Sequence, residues 1–255
     1  MFSEKTKDSF SKYFRLIYAN SPALLSQVYK IRYDVFCTEL ELEKGCPVDI
    51  EKDQFDAYSY HYLLHHKSSN RYAGTIRMVL PPKDEPELPI PIEKFCIDAI
   101  DRSIIDISKL PRGSFGEVSR LAVPAVFRKR AGEAGKPYII PSEKAFCENP
   151  LERRHFPHIA IGLYLAVASL AMFKQLDYIF VMIEPRLAKA LNRAGLHFEQ
   201  MGEVVEYHGQ RAPFFITPDL LNNHLKPDLK TLYQETFNQI REDMLSSEQL
   251  IRSAG

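Results

Sequence analysis

The sequence predicts a mixed α/β fold in which helices cover a central β-sheet. Segments with strand-like alternation are interleaved with segments of helical periodicity, which is typical of layered α/β domains. The segment His158–Lys174 is apolar on all sides, as expected for a helix buried against a sheet. Hydrophobic residues make up 45% of the 255 residues, enough for one large core. Residues 1–220 are therefore predicted to form one domain, and residues 221–255 a C-terminal helical extension.

The first long helix is predicted to begin at Ser21 and to run to about Thr38. Ser21 suits an N-cap and Pro22 suits the first helical position. Arg32 and Phe36 lie one turn apart, so they are expected to share one face of this helix.

Three strands are predicted in the first half of the chain. Phe14–Tyr18 is a short apolar candidate, and Tyr58–His65 and Tyr72–Leu80 have the pattern of a hairpin. The Pro-rich segment Pro81–Pro91 is predicted to be an extended surface loop.

The stretch Phe115–Pro124 is predicted to be the central strand. Its apolar residues favour a strand, and a proline ends it by removing a backbone donor. Glu117 and Arg120 lie inside this apolar run, where an unpaired charge is costly. Residues three apart on a regular strand face opposite sides, so a shared face requires a bulge or kink, predicted at Gly116 or Ser119. A structural ion pair at a sheet edge is the alternative.

The rest of the chain begins with a long basic insertion, Phe127–Pro157, and loops of this length inside a domain are usually functional or mobile. After the buried helix, the predicted elements are the strand Tyr178–Ile183, the helix Pro185–Arg193 followed by Gly195, a hairpin of Glu203–Tyr207 and Pro213–Thr217, and the amphipathic helix Asp228–Leu250.

Composition limits the classes of function. Lys+Arg and Asp+Glu are both 33, and this balance gives no indication of nucleic-acid binding. The longest apolar run, Ile159–Phe173, is short for a transmembrane helix, and the first residues lack an apolar signal region. We therefore expect a cytoplasmic protein without a transmembrane segment.

The four cysteines show no close metal-ligand spacing, and neither do the histidines. No metal site is predicted. Free buried thiols in a reducing compartment are expected for Cys37, Cys46, Cys96 and Cys147.

Six charged residues lie where the local pattern disfavours them. Such charges are tolerated together if they pair, so a structural network is one interpretation. The other is a polar site for a zwitterionic substrate, because arginine binds carboxylates and a carboxylate can hold an ammonium group and take its proton. The six residues are Arg32, Arg77, Arg120, Asp53, Asp56 and Glu117.

The order and spacing of these charges resemble the signature of acyl-homoserine-lactone synthases over residues 25–125. The resemblance implies a GNAT-like N-acyltransferase fold, with a mixed central sheet flanked by helices. The motifs that carry it are Arg32-x-x-x-Phe36, Asp53-x-x-Asp56, Gly74-x-x-Arg77 and Glu117-x-x-Arg120.

A closer resemblance, over about residues 20–200, is to N-acyl amino acid synthases and to the acyltransferases associated with PEP-CTERM and exosortase systems. It implies acyl transfer to the amino group of an amino acid or similar amine. The donor is an acyl-phosphopantetheine, on an acyl carrier protein partner or as acyl-CoA, with no bound cofactor. The segments that carry it are Gly116–Val123, Phe127–Arg130, Arg154-x-Phe156-Pro157 and Gly162–Ala166.

This likeness suggests roles for the six charges. Glu117 is the expected general base, with Arg32 and Arg120 positioning both it and the acceptor carboxylate. Asp53 and Asp56 are expected to order the acceptor loop and to pair with Arg77.

The acyl donor is expected to lie against a second set of residues. Backbone N–H groups near Leu121, Ala122 and Val123 would stabilise the developing oxyanion, close to Phe36. The fatty chain is predicted to lie between the sheet and the buried helix, although the same helix residues are equally well explained as core. The insertion supplies a predicted docking patch for the carrier, or alternatively a solvated basic loop, from Arg128, Arg130, Arg153 and Arg154.

Two other functions stay open. One is a lactone synthase that uses S-adenosylmethionine; the absence of tryptophan counts against it, because those synthases place a tryptophan soon after the helix-one phenylalanine. The other is a non-catalytic module that binds an acyl carrier. The Gly-rich pyrophosphate loop of many GNAT enzymes is also missing before His158, which favours a carrier protein over acyl-CoA as donor.

Overall fold

The computed structural model describes residues 10–128 and 158–253 and has an eight-stranded mixed sheet at its centre. The strands follow the order β1-β2-β3-β4-β5-β8-β6, and β7 pairs with β8. Among these strands, β4 and β5 run parallel and the other neighbours are antiparallel. The strands are β1 (Phe14–Tyr18), β2 (Ser59–His66), β3 (Arg71–Val79), β4 (Phe115–Ala122), β5 (Tyr178–Ile183), β6 (Glu199–Gln200), β7 (Val205–Glu206) and β8 (Gln210–Ile216).

Helices flank this sheet, which confirms the predicted fold class. The first helix continues without a break into a π-helical segment, Tyr33–Glu39. The short helix Pro218–His224 and the two-residue strand β6 were not predicted, and β8 begins three residues earlier than predicted. The α-helices are α1 (Pro22–Arg32), α2 (Pro91–Phe95), α3 (Ala125–Arg128), α4 (His158–Phe173), α5 (Pro185–Ala194), α6 (Pro218–His224) and α7 (Pro227–Ser253).

The apolar helix α4 lies in the middle of the main core. It contacts strands β2, β3 and β4 on one side and α7 on the other, which explains why it is apolar all round. Gly74 on β3 permits the close approach, since a Cβ there would lie 2.9 Å from the Ala122 carbonyl oxygen and 3.1 Å from the Leu163 side chain. Within the described ranges, no helix is long and apolar enough to cross a membrane.

Strand β4 contains the predicted irregularity, but at a different residue. Thr75 pairs with Ala122 and Arg77 pairs with Ser119, so one residue of β3 faces two residues of β4. Arg120 adopts a φ of 53° at this point, a conformation that costs about 1–3 kcal/mol for a non-glycine residue. The prediction that the kink lies at Gly116 or Ser119 was therefore wrong, because the kink lies at Arg120 itself.

The cysteine prediction was wrong for one pair, because Cys37 and Cys46 form a disulfide. Cys37 lies in the π-helical segment, and the chain then turns back so that the two Cα atoms are 6.7 Å apart. Sequence spacing does not show this reversal. Cys96 is a free, buried thiol as predicted, and Cys147 lies outside the described residues.

Replacing both Cys37 and Cys46 by serine is expected to lower the free energy of unfolding by about 2–3 kcal/mol, because the disulfide restrains the unfolded chain. Urea denaturation under oxidising conditions measures the loss. Dithiothreitol should bring the wild-type curve to that of the variant and leave the variant unchanged. Coincident curves for the oxidised wild type and the variant would contradict this expectation.

Candidate active site

A short 3₁₀ turn, Gln54–Tyr58, sets the two predicted aspartates in place. Asp53 caps the turn by accepting a hydrogen bond from the Phe55 N–H at 2.9 Å. In return, the Asp56 side chain accepts the Asp53 N–H at 2.7 Å. This reciprocal capping box holds both carboxylates beside the sheet.

Arg77 on β3 joins these two acids, as predicted. Its Nη1 donates to Asp53 Oδ1 at 2.6 Å and to Asp56 Oδ1 at 2.9 Å, and its Nε donates to Ser119 Oγ at 3.0 Å. The side chain is almost completely buried. Such a pair is stable in the interior because both partners are hydrogen-bonded.

Arg32, at the end of α1, does not have the predicted role. It is completely buried. Its Nη1 and Nη2 donate to Asp56 at 2.6 and 3.1 Å, and its Nε donates to Glu51. All three guanidinium nitrogens are occupied by this chain, so Arg32 is placed to hold the cluster together rather than to bind Glu117 or an acceptor carboxylate.

Arg120 is the most accessible arginine of the cluster, with 18% of its side chain exposed. Its Nε lies 3.1 Å from Glu51, and its Nη2 lies 3.2 Å from both Glu43 and Asp53. Within the described part of the chain these contacts are made to acids other than Glu117, which corrects the expectation that Arg120 positions Glu117.

Sequence reasoning missed two acids of this network, Glu43 and Glu51. Glu51 opens the acidic run that contains Asp53 and Asp56, and that run was the available signal. Glu43 lies in the irregular loop after the π-helical segment and has no local pattern that marks it.

The network keeps its charged form. Burial opposes ionisation of Asp56, but Arg32 and Arg77 hold its pKa well below the usual range. Burial also disfavours the Arg32 cation, yet Asp56 and Glu51 raise the pKa of Arg32 further above its usual value. The acids and the arginines of the network therefore stay charged and paired in the interior.

Glu117 is a separate case, because it lies outside this ion-pair network. It is buried and accepts a hydrogen bond from the Ile92 N–H at 2.6 Å. Burial raises the pKa of its carboxyl group to about 8, and the Ile92 N–H and the charge of Arg77 only partly oppose this effect. A carboxyl group with such a pKa can exchange a proton near neutral pH.

A pocket that is partly open to solvent lies beside Glu117. It forms where β4 and β5 separate, since their parallel pairing ends at Val118–Val181 although both strands continue. One part of its lining is charged and another is apolar. The charged members are Glu43, Asp53, Arg77, Glu117, Arg120 and Arg211.

The predicted donor-binding residues divide into three groups. Phe36 and Leu121 line the pocket, together with Tyr164 of α4. Ala122 and Val123 are buried in the core instead. After the bulge at Arg120, Leu121 is the last residue of β4 that lines the pocket. The Arg128 side chain and the residues Arg130, Arg153 and Arg154 lie outside what the structure describes.

The helix residues considered for the fatty-chain slot, Leu163, Val167 and Leu170 of α4, are buried in the main core, as the alternative interpretation expected. The apolar pocket wall is formed by other residues. They include Phe36, Leu42, Phe55, Tyr164, Ile183 and Leu187. Across the described ranges, no cluster of His, Cys, Asp and Glu is arranged to hold a metal ion.

Comparison with known proteins supports the fold. Residues 31–135 match the family model described as an acetyltransferase (GNAT) domain. Among curated proteins, none matches this chain in sequence.

Among the solved structures that are similar to this chain, three align over most of their length. The acyl-homoserine-lactone (AHL) synthase LasI has a TM-score of 0.57 at 14% identity, covering 84% of this chain and 97% of that one. The CoA-dependent acyl-homoserine lactone synthase BjaI has a TM-score of 0.57 at 15% identity, with coverages of 83% and 86%. FeeM, an N-acyl amino acid synthase from uncultured soil microbes, has a TM-score of 0.53 at 14% identity, with coverages of 83% and 94%.

These likenesses show a GNAT-like fold and confirm the predicted resemblance to lactone synthases and N-acyl amino acid synthases. At these identities the solved structures establish the fold alone. The resemblance to PEP-CTERM and exosortase-associated acyltransferases stays a prediction.

Proposed function

Because this chain carries an acyltransferase domain of the GNAT type, we propose that it transfers a fatty acyl group from a phosphopantetheine thioester to the amino group of an amino acid or similar amine. The product is an N-acyl amino acid. The observation that carries the proposal is Glu117, a buried carboxyl group with a raised pKa beside the gap between β4 and β5.

In the proposed reaction, the neutral amine nitrogen attacks the thioester carbonyl carbon. A carbon–nitrogen bond forms, the carbon–sulfur bond breaks, and phosphopantetheine leaves as a thiolate. The ionised Glu117 carboxylate accepts the proton that the amine loses, and this proton can then neutralise the thiolate.

Strand β4 supports this reaction through its backbone. Beyond Val118 it no longer pairs with β5, and Ser119, Arg120 and Leu121 line the pocket. Backbone N–H groups in such a gap are positioned to stabilise a developing oxyanion. We therefore propose the oxyanion site slightly earlier in the strand than the residues 121–123 expected from sequence.

The acidic side of the pocket suits an amine. Glu43 and Asp53 have side chains that are 27% and 23% exposed, and both line the pocket. In the ion-pair network three guanidinium groups face four carboxylates, leaving one negative charge in excess. An incoming ammonium group is favoured by this excess, and it releases one proton to the solvent before the neutral amine attacks.

The proposed donor is an acyl thioester of phosphopantetheine, which both acyl-CoA and an acyl carrier protein provide. The apolar pocket wall is suitable for the first part of a fatty chain. BjaI, one of the similar structures, is a CoA-dependent synthase, which supports acyl-CoA. An acyl carrier protein, and its docking to the basic insertion, stay predictions from the sequence.

The proposal predicts formation of N-acyl amino acids by purified protein. The test supplies lauroyl-CoA or a lauroyl acyl carrier protein with the twenty standard amino acids, with and without S-adenosylmethionine, and analyses the products by mass spectrometry. An N-acyl amino acid is the expected product. A lactone formed only with S-adenosylmethionine would favour a lactone synthase, and a folded protein that forms neither would indicate a non-catalytic binding module.

A further inference from the structure

A fourth arginine, Arg211, lines the pocket but does not belong to the ion-pair network. It lies on β8 opposite Val205, directly before Ala212, which pairs with Ile183 at the end of β5. Its Nε is buried and has no hydrogen-bond partner among the described residues. Across residues 10–128 and 158–253, no carboxylate forms an ion pair with its guanidinium group.

This state distinguishes Arg211 from the other arginines of the site. Arg32, Arg77 and Arg120 each bind two or more acids of this chain. A buried guanidinium nitrogen without a partner is costly, so an anionic ligand that pairs with Arg211 gains more than one that must first displace an internal carboxylate.

Arg211 and the proposed base, Glu117, line the same pocket. Burial raises the pKa of Tyr207 to about 12; Arg120 and Arg211 oppose the rise, whereas Glu117 adds to it. Tyr207 also lines the pocket. Its hydroxyl group is therefore within electrostatic reach of both Arg211 and Glu117.

We propose that Arg211 binds the carboxylate of an amino-acid acceptor through a charge-assisted, forked contact. The acceptor's ammonium group then faces Glu43 and Asp53, and Glu117 takes the proton that the neutral amine loses during attack. This inference rests on the proposed function and deepens it: free α-amino acids are selected over neutral amides and simple amines.

The same guanidinium chemistry also suits a donor phosphate, and kinetics separate the two anions. In Arg211→Gln the KM for the amino acid is expected to rise about 10²-fold, because one partner of a buried charge pair is lost. The KM for lauroyl-CoA should stay unchanged. A rise in the donor KM alone would assign Arg211 to a phosphate and overturn the proposal.

The second kinetic readout is discrimination. Wild-type protein should acylate a free amino acid in strong preference to its amide, and Arg211→Gln should acylate the two at similar rates. Arg211→Lys keeps the charge without the fork and should restore part of the preference. Arg241→Gln, an exposed change on α7, is the matched control and should behave like the wild type.

A binding measurement without turnover separates this inference from the proposed function. Saturation-transfer NMR is recorded with a mixture of the twenty amino acids and their amides. Wild-type and Arg241→Gln proteins should give signals from free amino acids, and Arg211→Gln should not. Such binding without any acylation would overturn the proposed function while keeping the role of Arg211. Equal signals from Arg211→Gln and wild type, or no signal from any amino acid, would overturn the role of Arg211.

Discussion

Replacing Glu117 by glutamine is expected to lower kcat/KM for acyl transfer by about 10²-fold or more, as for loss of a general base. The amide has nearly the same shape and can still accept the hydrogen bond from Ile92. The fold should therefore be retained. Steady-state kinetics with saturating donor measure the loss, and circular dichroism checks the fold.

The pH dependence provides a sharper readout of the same prediction. Burial raises the pKa of Glu117 to about 8, and the base acts only when it is ionised. When kcat/KM is calculated on the concentration of neutral amine, it should therefore rise with pH until about pH 8 and then level off in the wild type, and in Glu117→Gln this rise should be absent.

As pH rises, the stability of the folded wild type should change in the opposite direction to its kcat/KM. A carboxyl group whose pKa is raised by folding favours the unfolded state increasingly as pH rises from its usual pKa to the raised value. Glu117→Gln removes this effect, so the variant should lose less stability than the wild type between acid pH and about pH 8. A merely structural role would not produce this pattern together with lost activity.

The control for this experiment is Glu203→Gln, an exposed change outside the pocket, which should leave the kinetics and their pH dependence unchanged. A well-folded Glu117→Gln protein with wild-type activity would remove Glu117 from the role of base.

Replacing Arg32 by methionine is expected to lower the free energy of unfolding by about 3–5 kcal/mol, as for breaking a buried ion pair from one side. Methionine keeps much of the side-chain volume but leaves Asp56 and Glu51 without their shared cation. Urea denaturation measures the loss.

Lys30→Met is the matched control on the same helix. Lys30 is 45% exposed, and it pairs with Asp49 at 2.5 Å and with Asp34 at 3.7 Å. Exposed pairs of this kind contribute little, so this variant should have nearly wild-type stability. Similar losses for both variants would contradict the buried role of Arg32.

Acid pH should narrow the difference between Arg32→Met and the wild type. The lowered pKa of Asp56 means that its ion pairs stabilise the folded protein above the usual aspartate pKa and lose this effect as pH falls. In the variant, protonation neutralises the buried carboxylates of Asp56 and Glu51, so that the missing cation of Arg32 costs less stability at acid pH. A difference that stays constant down to strongly acid pH would show that packing, rather than charge, dominates.

Local pattern was sufficient for much of the fold and for part of the site. Burial imposes period-two alternation on strands and apolar surfaces on helices, so α4, β5 and the β2–β3 hairpin are visible in the sequence. Charges inside apolar segments are equally visible because they are costly there. Four of the six residues singled out by sequence line one pocket, and the other two, Arg32 and Asp56, pair with each other beside it.

Apart from the predicted pairing of Arg77 with Asp53 and Asp56, the tertiary structure alone decided which charged residues pair with each other. Arg120 meets Glu43 and Glu51, about seventy residues away in the chain, and Arg211 comes from the last long strand to the same pocket. No local pattern encodes such contacts, because they depend on strand order and on the separation of β4 from β5.

The same distinction explains the remaining corrections. The disulfide between Cys37 and Cys46 depends on a chain reversal, and the kink at Arg120 depends on the register against β3. The sequence by itself determined which side chains must leave water and which charges therefore need partners. The packing of distant elements determined that Arg32 stabilises the network from within and that Arg211 is left without an ion-pair partner in the described part of the chain, since only the folded chain sets the distances between them.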